Sequence, residues 1–264
     1  MHRIITAFRQ FPYTGIGCVW FGAYALLKCF PAASFPRMSI IPLVLRQYGL
    51  ESEEEFRVRY YISKIGFESQ WTSKDRSTED AVASFYNEHD ADLWRQAYLS
   101  KTSYMYKKKI LRAYHIVKKV RAQRILDYGC GAGVFAHYIS QKGYAVDVAD
   151  IPSPTLEFVR SQVNVSMAAT IDATLVLQQD AYDFVSCLDA LEHTFTPLQI
   201  TKQLLVSLRP GGIFHVTFPK EDEAHMLAED SQHTKEAQLE RPATFAYLRT
   251  VCDELVPELV YRKR

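Results

Sequence analysis

The chain has few cysteines, almost no net charge and no low-complexity tract, and each of these features excludes a class of protein. The five cysteines are odd in number and lack metal-type pairing, which predicts a reduced, intracellular protein. A net charge of +1 over 264 residues gives no reason to expect nucleic acid as an obligatory partner. With 48% hydrophobic and 23% charged residues, the composition is that of an ordinary globular protein. The length allows either one large α/β domain with an extension or two small domains.

Near the start of the chain, one apolar run falls short of the usual length of a spanning helix. Residues 10–27 carry no charge, but the run is shorter than the roughly 20 apolar residues of a spanning helix, and Pro12 and three glycines interrupt it. Three interpretations stay open: a buried or lid-forming extension, a membrane-surface anchor, and a true span or signal peptide. We predict a cytoplasmic protein and leave membrane association through this segment as an alternative.

The most informative stretch is residues 124–150, which reads as strand, glycine turn, helix, loop and second strand. Gly129, Gly131 and Gly133 follow the first strand directly, where glycine lets the backbone turn sharply and lets a ligand approach closely. Asp150 closes the second strand, and an acid at that place can accept hydrogen bonds from both hydroxyls of a ribose. The stretch therefore predicts a nucleoside-binding βαβ unit.

The glycine spacing bears on which nucleoside binds. A dinucleotide fingerprint is G-x-G-x-x-G, with the pyrophosphate at the helix N-terminus. Here the third glycine comes one residue early, and Asp127 precedes the turn. A carboxylate beside the loop would repel a phosphate and suits an ammonium group. A nicotinamide-dependent enzyme remains the alternative at this point.

This stretch resembles motif I of the class I S-adenosylmethionine (SAM) dependent methyltransferases, whose cofactor carries an amino acid and no phosphate. Residues 183–193 are similar to the fourth strand and following turn of that family, and residues 208–216 resemble its L-x-P-G-G lead into the fifth strand. The resemblance implies an α/β, Rossmann-like doubly wound, mostly parallel sheet of about six to seven strands. We predict an N-terminal helical extension over residues 1–77 and a SAM-binding domain over residues 78–264.

The resemblance also implies SAM as the cofactor and a set of residues that contact it. Asp172 follows the predicted third strand, where many relatives have an acid that accepts from the adenine amino group. The predicted cofactor-binding residues are Asp127, Gly129, Cys130, Gly131, Gly133, Asp150, Ile151, Asp172 and Leu188.

His193 is the candidate catalytic residue. By position it matches the Glu-His pair of methyltransferases of ubiquinone biosynthesis, and a histidine near neutral pKa suits a general base. In this family such a histidine often packs or contacts the cofactor instead. Asp189, Glu192 and His193 also resemble a cluster that holds a divalent ion in small-RNA 3′-terminal methyltransferases. Completing it would need His225 or His233, and we predict no metal.

Two further regions leave alternatives open. Residues 101–124 contain nine Lys and Arg and no acid, with apolar residues at helical spacing. The basic helix either packs on the sheet with its lysines in water or faces an anionic substrate or lipid headgroups. At the other end, the sequence predicts a helix over residues 244–255 and room for only one further strand, whereas the family normally ends in a two-stranded hairpin.

We predict a SAM-dependent methyltransferase that acts on a hydroxyl of a small molecule. The aromatic N-terminus and the basic helix offer a lipid-linked or sugar-containing acceptor as one candidate. One alternative is a SAM-binding scaffold or activating subunit without catalysis, and another is a methyltransferase with a nitrogen or carbon acceptor. No Asn/Asp-Pro-Pro-Tyr tetrapeptide follows the predicted fourth strand, which argues against the enzymes that methylate amino groups of DNA bases and glutamine. The expected partners are a small-molecule acceptor and, as an alternative, a membrane surface contacted through the N-terminal segment.

Overall fold

Seven strands form one sheet in the computed structural model, which describes residues 38–74, 77–172, 175–219 and 232–264. The strands are β1 Ile125–Tyr128, β2 Val146–Asp150, β3 Met167–Thr170, β4 Tyr182–Leu188, β5 Leu208–Thr217, β6 Cys252–Val256 and β7 Val260–Lys263. Their order is β3-β2-β1-β4-β5-β7-β6, with β1 to β5 parallel and β7 antiparallel to both neighbours. The predicted α/β doubly wound fold is confirmed.

Helices surround this sheet within the described part of the chain. They are α1 Ile41–Tyr48, α2 Glu53–Ser73, α3 Glu79–Asn87, α4 Ala91–Thr102, α5 Tyr104–Val120, α6 Val134–Ser140, α7 Pro154–Gln162, α8 Pro197–Ser207 and α9 Gln232–Val251. A short 3-10 turn, Leu191–His193, follows β4. Strand order reverses between β1 and β4, and open α/β sheets bind ligands at the carboxyl ends of the strands beside such a switch point.

The central strands are apolar because helices cover both faces of the sheet. All four residues of β1 are buried, and so are the first six of β4. Three polar side chains break this pattern, Asp127 on β1 and Asp183 and Ser186 on β4. Asp127 and Ser186 face each other across the pair, since they are in register. Buried polar groups of this kind are hydrogen-bonded in native proteins, and their pairing belongs to the site described below.

The prediction of a single C-terminal strand is wrong. The last helix ends at Val251, and β6 and β7 then form the two-stranded hairpin. Strand β6 was hard to predict because it lies at the edge of the sheet and carries two exposed acids, Asp253 and Glu254. Across the hairpin, Arg262 pairs with Asp253, and the hydroxyl of Tyr261 donates to Glu254. Charged residues on an edge strand also discourage pairing with another chain.

Helix α2 packs beside α4 through aromatic rings. Phe56 lies 5.5 Å from Trp94 between ring centroids, and Tyr60 stacks on Tyr98 at 4.4 Å. Among the described helices, none is both long and apolar enough to cross a bilayer. The charge-free run over residues 10–27 lies outside the described residues, as does His225. The division between residues 77 and 78 stays a prediction.

Candidate functional site

The glycine loop connects β1 to α6 at the carboxyl edge of the sheet. Gly129, Gly131 and Gly133 have φ angles of 68°, 51° and 66°, in the left-handed region that favours glycine. A Cβ atom at Gly129 would collide with the Cβ of Ala190, and one at Gly131 would collide with the side chain of Gln96. Backbone conformation and close neighbours therefore both require glycine at the first two positions.

Each of the five amide groups in this loop already donates to a protein oxygen. Gly129 and Cys130 donate to the carbonyl of Ala149 at 2.8 and 3.2 Å, and Gly133 donates to the carbonyl of Cys130 at 2.9 Å. Gly131 donates to Oδ2 of Asp150 at 2.5 Å, and the amide of residue 132 donates to a side chain of α4 at 3.0 Å. A pyrophosphate needs backbone N–H groups directed at the ligand. The amides of residues 129–133 are thus all directed at protein oxygens and not at a phosphate.

Two buried acids lie beside the loop. Ser186 Oγ donates to Oδ1 of Asp127 at 2.7 Å, and Ile151 donates through its amide to Oδ1 of Asp150 at 2.8 Å. Burial, together with the neighbouring charge of Asp150, raises the pKa of Asp127 to about 7 against the opposing effect of the hydrogen bond from Ser186. Burial also raises the pKa of Asp150 to about 6, against the hydrogen bonds from Gly131 and Ile151. Two acids this close attract a cationic ligand when they are ionised.

A second acidic group lies where β4 ends. Asp189 adopts φ 53°, and its Oδ1 accepts from Thr217 Oγ1 at 2.7 Å. Its Oδ2 is paired with the ammonium of Lys109 on α5. One lysine of the basic helix predicted over residues 101–124 therefore lies at the carboxyl edge of the sheet. The pair joins α5 to the ends of β4 and β5.

Glu192 and His193 occupy the 3-10 turn after β4. Glu192 is 3% exposed, and its Oε2 makes no hydrogen bond within the described part of the chain. Burial, followed by the charge of Asp189, raises the pKa of Glu192 well above its ordinary value. His193 is exposed. Among the described residues, no three His, Cys, Asp or Glu side chains are grouped so as to hold a metal ion.

Sequence reasoning missed a polar network that α4 and α5 supply. Arg95 donates from Nε and Nη2 to Oδ1 of Asp92 at 3.0 and 2.7 Å. Gln96 donates to Oδ2 of Asp92 at 2.6 Å and accepts, through Oε1, from Tyr106 at 3.2 Å and from the amide of Ala132 at 3.0 Å. This network holds α4 against the glycine loop. Its members carry no sequence signature, because they are ordinary polar residues of amphipathic helices.

Burial alone would raise the pKa of Asp92, but its partners outweigh that effect. The charge and hydrogen bonds of Arg95, the hydrogen bond from Gln96 and the charge of His193 hold the pKa of Asp92 below its ordinary value. Asp92 therefore stays ionised near neutral pH. It lies close enough to His193 for their charges to interact, which links α4 to the turn after β4.

The remaining predicted residues take different places around this edge. Cys130 is buried within the loop, and burial raises the pKa of its thiol well above the ordinary value. Leu188 is half-buried at the end of β4. Asp172 is exposed and lies one residue beyond Ile171, whose amide donates to the carbonyl of Asp150 at 2.7 Å. The structure thus joins the loop, Asp150 and Ile151 by hydrogen bonds. Asp172 lies next to this unit in the chain, and its side chain is exposed.

Comparisons with known proteins agree with this architecture. A family model described as a methyltransferase domain matches residues 94–251. A ubiquinone biosynthesis O-methyltransferase from Saccharophagus degradans is 32% identical over 127 residues, which covers 45% of this chain and 54% of the relative. The enzyme of the same name from Vibrio cholerae is 27% identical over 128 residues, covering 45% and 52%. The chain thus spans about half the length of these relatives.

Among solved structures, a SAM-dependent methyltransferase from Methanosarcina mazei matches with 19% identity and a TM-score of 0.36. The match covers 42% of this chain and 61% of that structure.

Proposed function

Because the chain belongs to the class I SAM-dependent methyltransferase family, we propose that it transfers a methyl group from SAM to a hydroxyl group of a small molecule. The observation that carries the proposal is the site beside the glycine loop. The amide groups of residues 129–133 are all engaged, and two buried acids, Asp127 and Asp150, lie beside the loop. Such a site suits a nucleoside with positive charge and no phosphate. SAM is that kind of molecule.

Bound SAM supplies a methyl group on a positively charged sulfur, which makes the methyl group labile. The chain's own residues would do the holding and the orienting. Asp150 would accept from the ribose hydroxyls, and Asp127 would provide negative charge for the amino-acid part. Gln96 and its network would close α4 over the loop and exclude water, which favours an in-line displacement. Asp172 would accept from the adenine amino group at the outer side of the site.

The affinity for SAM should depend on pH. The pKa values of Asp127 and Asp150 are raised to about 7 and about 6, so both acids gain protons as the pH falls through these values. A neutral carboxyl attracts a cation less than a carboxylate does. SAM affinity should therefore fall roughly tenfold to twentyfold from pH 8 to pH 6. Calorimetric titration with SAM across this range measures it.

The matched control for that titration is Asp127→Asn, which keeps the shape and the hydrogen bond from Ser186. In this variant the step near pH 7 should disappear, and only the weaker step of Asp150 near pH 6 should remain. A SAM affinity that does not change with pH in the unmodified protein would contradict the assignment of these two acids to the cofactor site.

The acceptor is proposed to be a hydroxyl because the two curated relatives are named as O-methyltransferases. A hydroxyl is a weak nucleophile until it loses its proton, and His193 is our candidate for the base. It lies past the end of β4, exposed and within electrostatic reach of Asp92. A carboxylate near a histidine favours the protonated imidazole that forms when the base accepts a proton.

The second prediction tests this base. Replacing His193 with asparagine should lower kcat about 10²–10⁴-fold, the usual contribution of general-base catalysis, while SAM affinity stays unchanged. The measurement is transfer of a labelled methyl group from SAM to a panel of phenols, isoprenoid alcohols and sugars. A variant with an unchanged kcat would assign His193 to packing. If the unmodified protein binds SAM but methylates no member of the panel, nor any amine or carbon acceptor, the alternative of a SAM-binding scaffold is favoured.

A further inference from the structure

The ammonium of Lys109 on α5 is held at the end of β4. It is paired with Oδ2 of Asp189, which lies one residue beyond that strand. Asp189 is in turn tied to β5, because its amide donates to Thr217 Oγ1 at 2.8 Å and its Oδ1 accepts from the same hydroxyl at 2.7 Å. These contacts fix the carboxylate, and the carboxylate fixes the position of the ammonium.

Two neighbouring side chains show that this ion pair lies next to the cofactor acids. The charges of Asp127, Asp150 and Asp189 all act on the buried thiol of Cys187 near the end of β4. The charges of Asp127 and Asp189 both act on the hydroxyl of Tyr106 as well. Strand β1 lies between β2, which carries Asp150, and β4. With the ribose held at the end of β2, the β4 side of this edge is left for the acceptor.

The ammonium of Lys109 can donate to a second oxygen while it stays paired. An ammonium group has three N–H donors, and the contact with Asp189 uses one of them. The two side chains are 29% and 33% exposed, so a small molecule can reach both. Glu192 competes little for the ammonium, because burial, followed by the charge of Asp189, raises the pKa of Glu192 and favours its neutral form.

The backbone of Asp189 has a conformation that is common at functional sites. Its φ angle of 53° lies in the left-handed region, which costs free energy in a residue other than glycine. Such a conformation persists only where the surroundings hold it, and residues of this kind cluster at active sites and ligand clamps. Here the two hydrogen bonds with Thr217 hold Asp189 in place. The strained residue is the one that positions the ammonium.

We propose that Lys109 is a further catalytic residue, whose ammonium binds the acceptor oxygen and stabilises the negative charge that develops on it. This proposal rests on the proposed transfer to a hydroxyl. In that transfer the acceptor O–H gives its proton to His193, and the oxygen forms a bond to the methyl carbon. The bond between that carbon and the sulfur breaks, and its electron pair stays on the sulfur as a neutral thioether. The ammonium keeps its protons throughout. A fixed donor beside a developing oxyanion contributes most where water is excluded.

A purely structural ion pair is the other interpretation of Lys109. The lysine would then only neutralise Asp189, and removing both charges together would restore the site. Asp189→Asn suits this comparison, because asparagine tolerates a left-handed φ angle and keeps an acceptor oxygen for the hydroxyl of Thr217. The two interpretations therefore differ in the double variant Lys109→Met, Asp189→Asn.

The test is the kinetics of methyl transfer to the hydroxyl acceptor that the unmodified protein turns over fastest, with calorimetric titration of SAM beside it. Lys109→Met should lower kcat about 10²–10³-fold, the usual loss when one donor to a developing oxyanion is removed. Its SAM affinity should not fall. The double variant should stay as slow as the single variant. Lys107→Met is the matched control on the same helix, because its ammonium donates to the carbonyl of Lys101 at the protein surface. It should transfer at the unmodified rate.

A double variant that regains the rate of the unmodified protein would overturn the proposal and assign Lys109 to the neutralisation of Asp189. An unchanged kcat in Lys109→Met would overturn it too. Circular dichroism checks the fold, and Lys109→Gln replaces the methionine variant if that variant misfolds. A second measurement is acceptor affinity with S-adenosylhomocysteine bound, which has no methyl group to transfer, and Lys109→Met should weaken it. An unmodified protein that methylates no hydroxyl would contradict the proposed function itself, and the role of Lys109 with it.

Discussion

Replacing Asp150 with alanine is expected to weaken SAM binding by about 1.5–3 kcal/mol for each charge-assisted hydrogen bond lost to the ribose hydroxyls. The carboxylate has a second role, because it accepts from the amides of Gly131 and Ile151. Alanine leaves both amides without their acceptor, so the glycine loop should also lose its fixed conformation. Isothermal titration with SAM measures the affinity, and titration with NAD on the same sample tests the alternative cofactor.

Two controls separate the roles of this carboxylate. Asp150→Asn keeps an acceptor oxygen for the loop and removes the charge, so its affinity should fall between those of the alanine variant and the unmodified protein. Asp147→Ala removes an acid from the same strand that accepts from the hydroxyl of Tyr182 at 3.1 Å and lies away from the loop. It should bind SAM normally. Tight binding of NAD without measurable binding of SAM would contradict the assignment of SAM as the cofactor.

The second large effect is expected for Gly131→Val, which should abolish SAM binding. A side chain at this position would collide with the amide group of Gln96, whose Cδ would lie 2.6 Å from the new Cβ. Either Gln96 moves away and its hydrogen bond to Ala132 breaks, or the loop shifts into the space of the ligand. A β-branched residue at φ 51° also strains the backbone. SAM calorimetry and a thermal melt of the same preparation measure the two effects.

Gly143→Val isolates the backbone strain. Gly143 has φ 84°, and a Cβ there would meet no atom within 4 Å. Because valine strains the backbone at this φ angle too, the free energy of unfolding of this variant should fall by about 1–2 kcal/mol. Its SAM affinity should not change. If Gly131→Val still binds SAM as the unmodified protein does, the loop does not form the cofactor site.

The cofactor half of the site could be predicted from sequence because its parts are neighbours in the chain. A strand, a glycine turn, a helix and a second strand bring residues 127–133 to Asp150 without help from distant segments. A left-handed φ angle also favours glycine over other residue types, so three glycines close together in the sequence indicate the turn directly. Sequence patterns did not predict β6, because its two neighbouring exposed acids break the alternation of apolar and polar residues that marks a strand.

The sequence by itself thus determined the resemblance to the family and the nucleoside-binding unit, since the motifs that carry both are local turns between apolar runs. Only the tertiary structure decided what lies opposite the loop. Gln96 and Lys109 reach the site because α4 and α5 pack with one particular face toward the sheet edge, and Asp189 is paired with a lysine 80 positions earlier in the chain. The exposure of Val58, Tyr61, Ile62 and Ile65 on α2 was decided in the same way. Helical spacing shows which residues share a face, but packing against the rest of the molecule determines which face is buried.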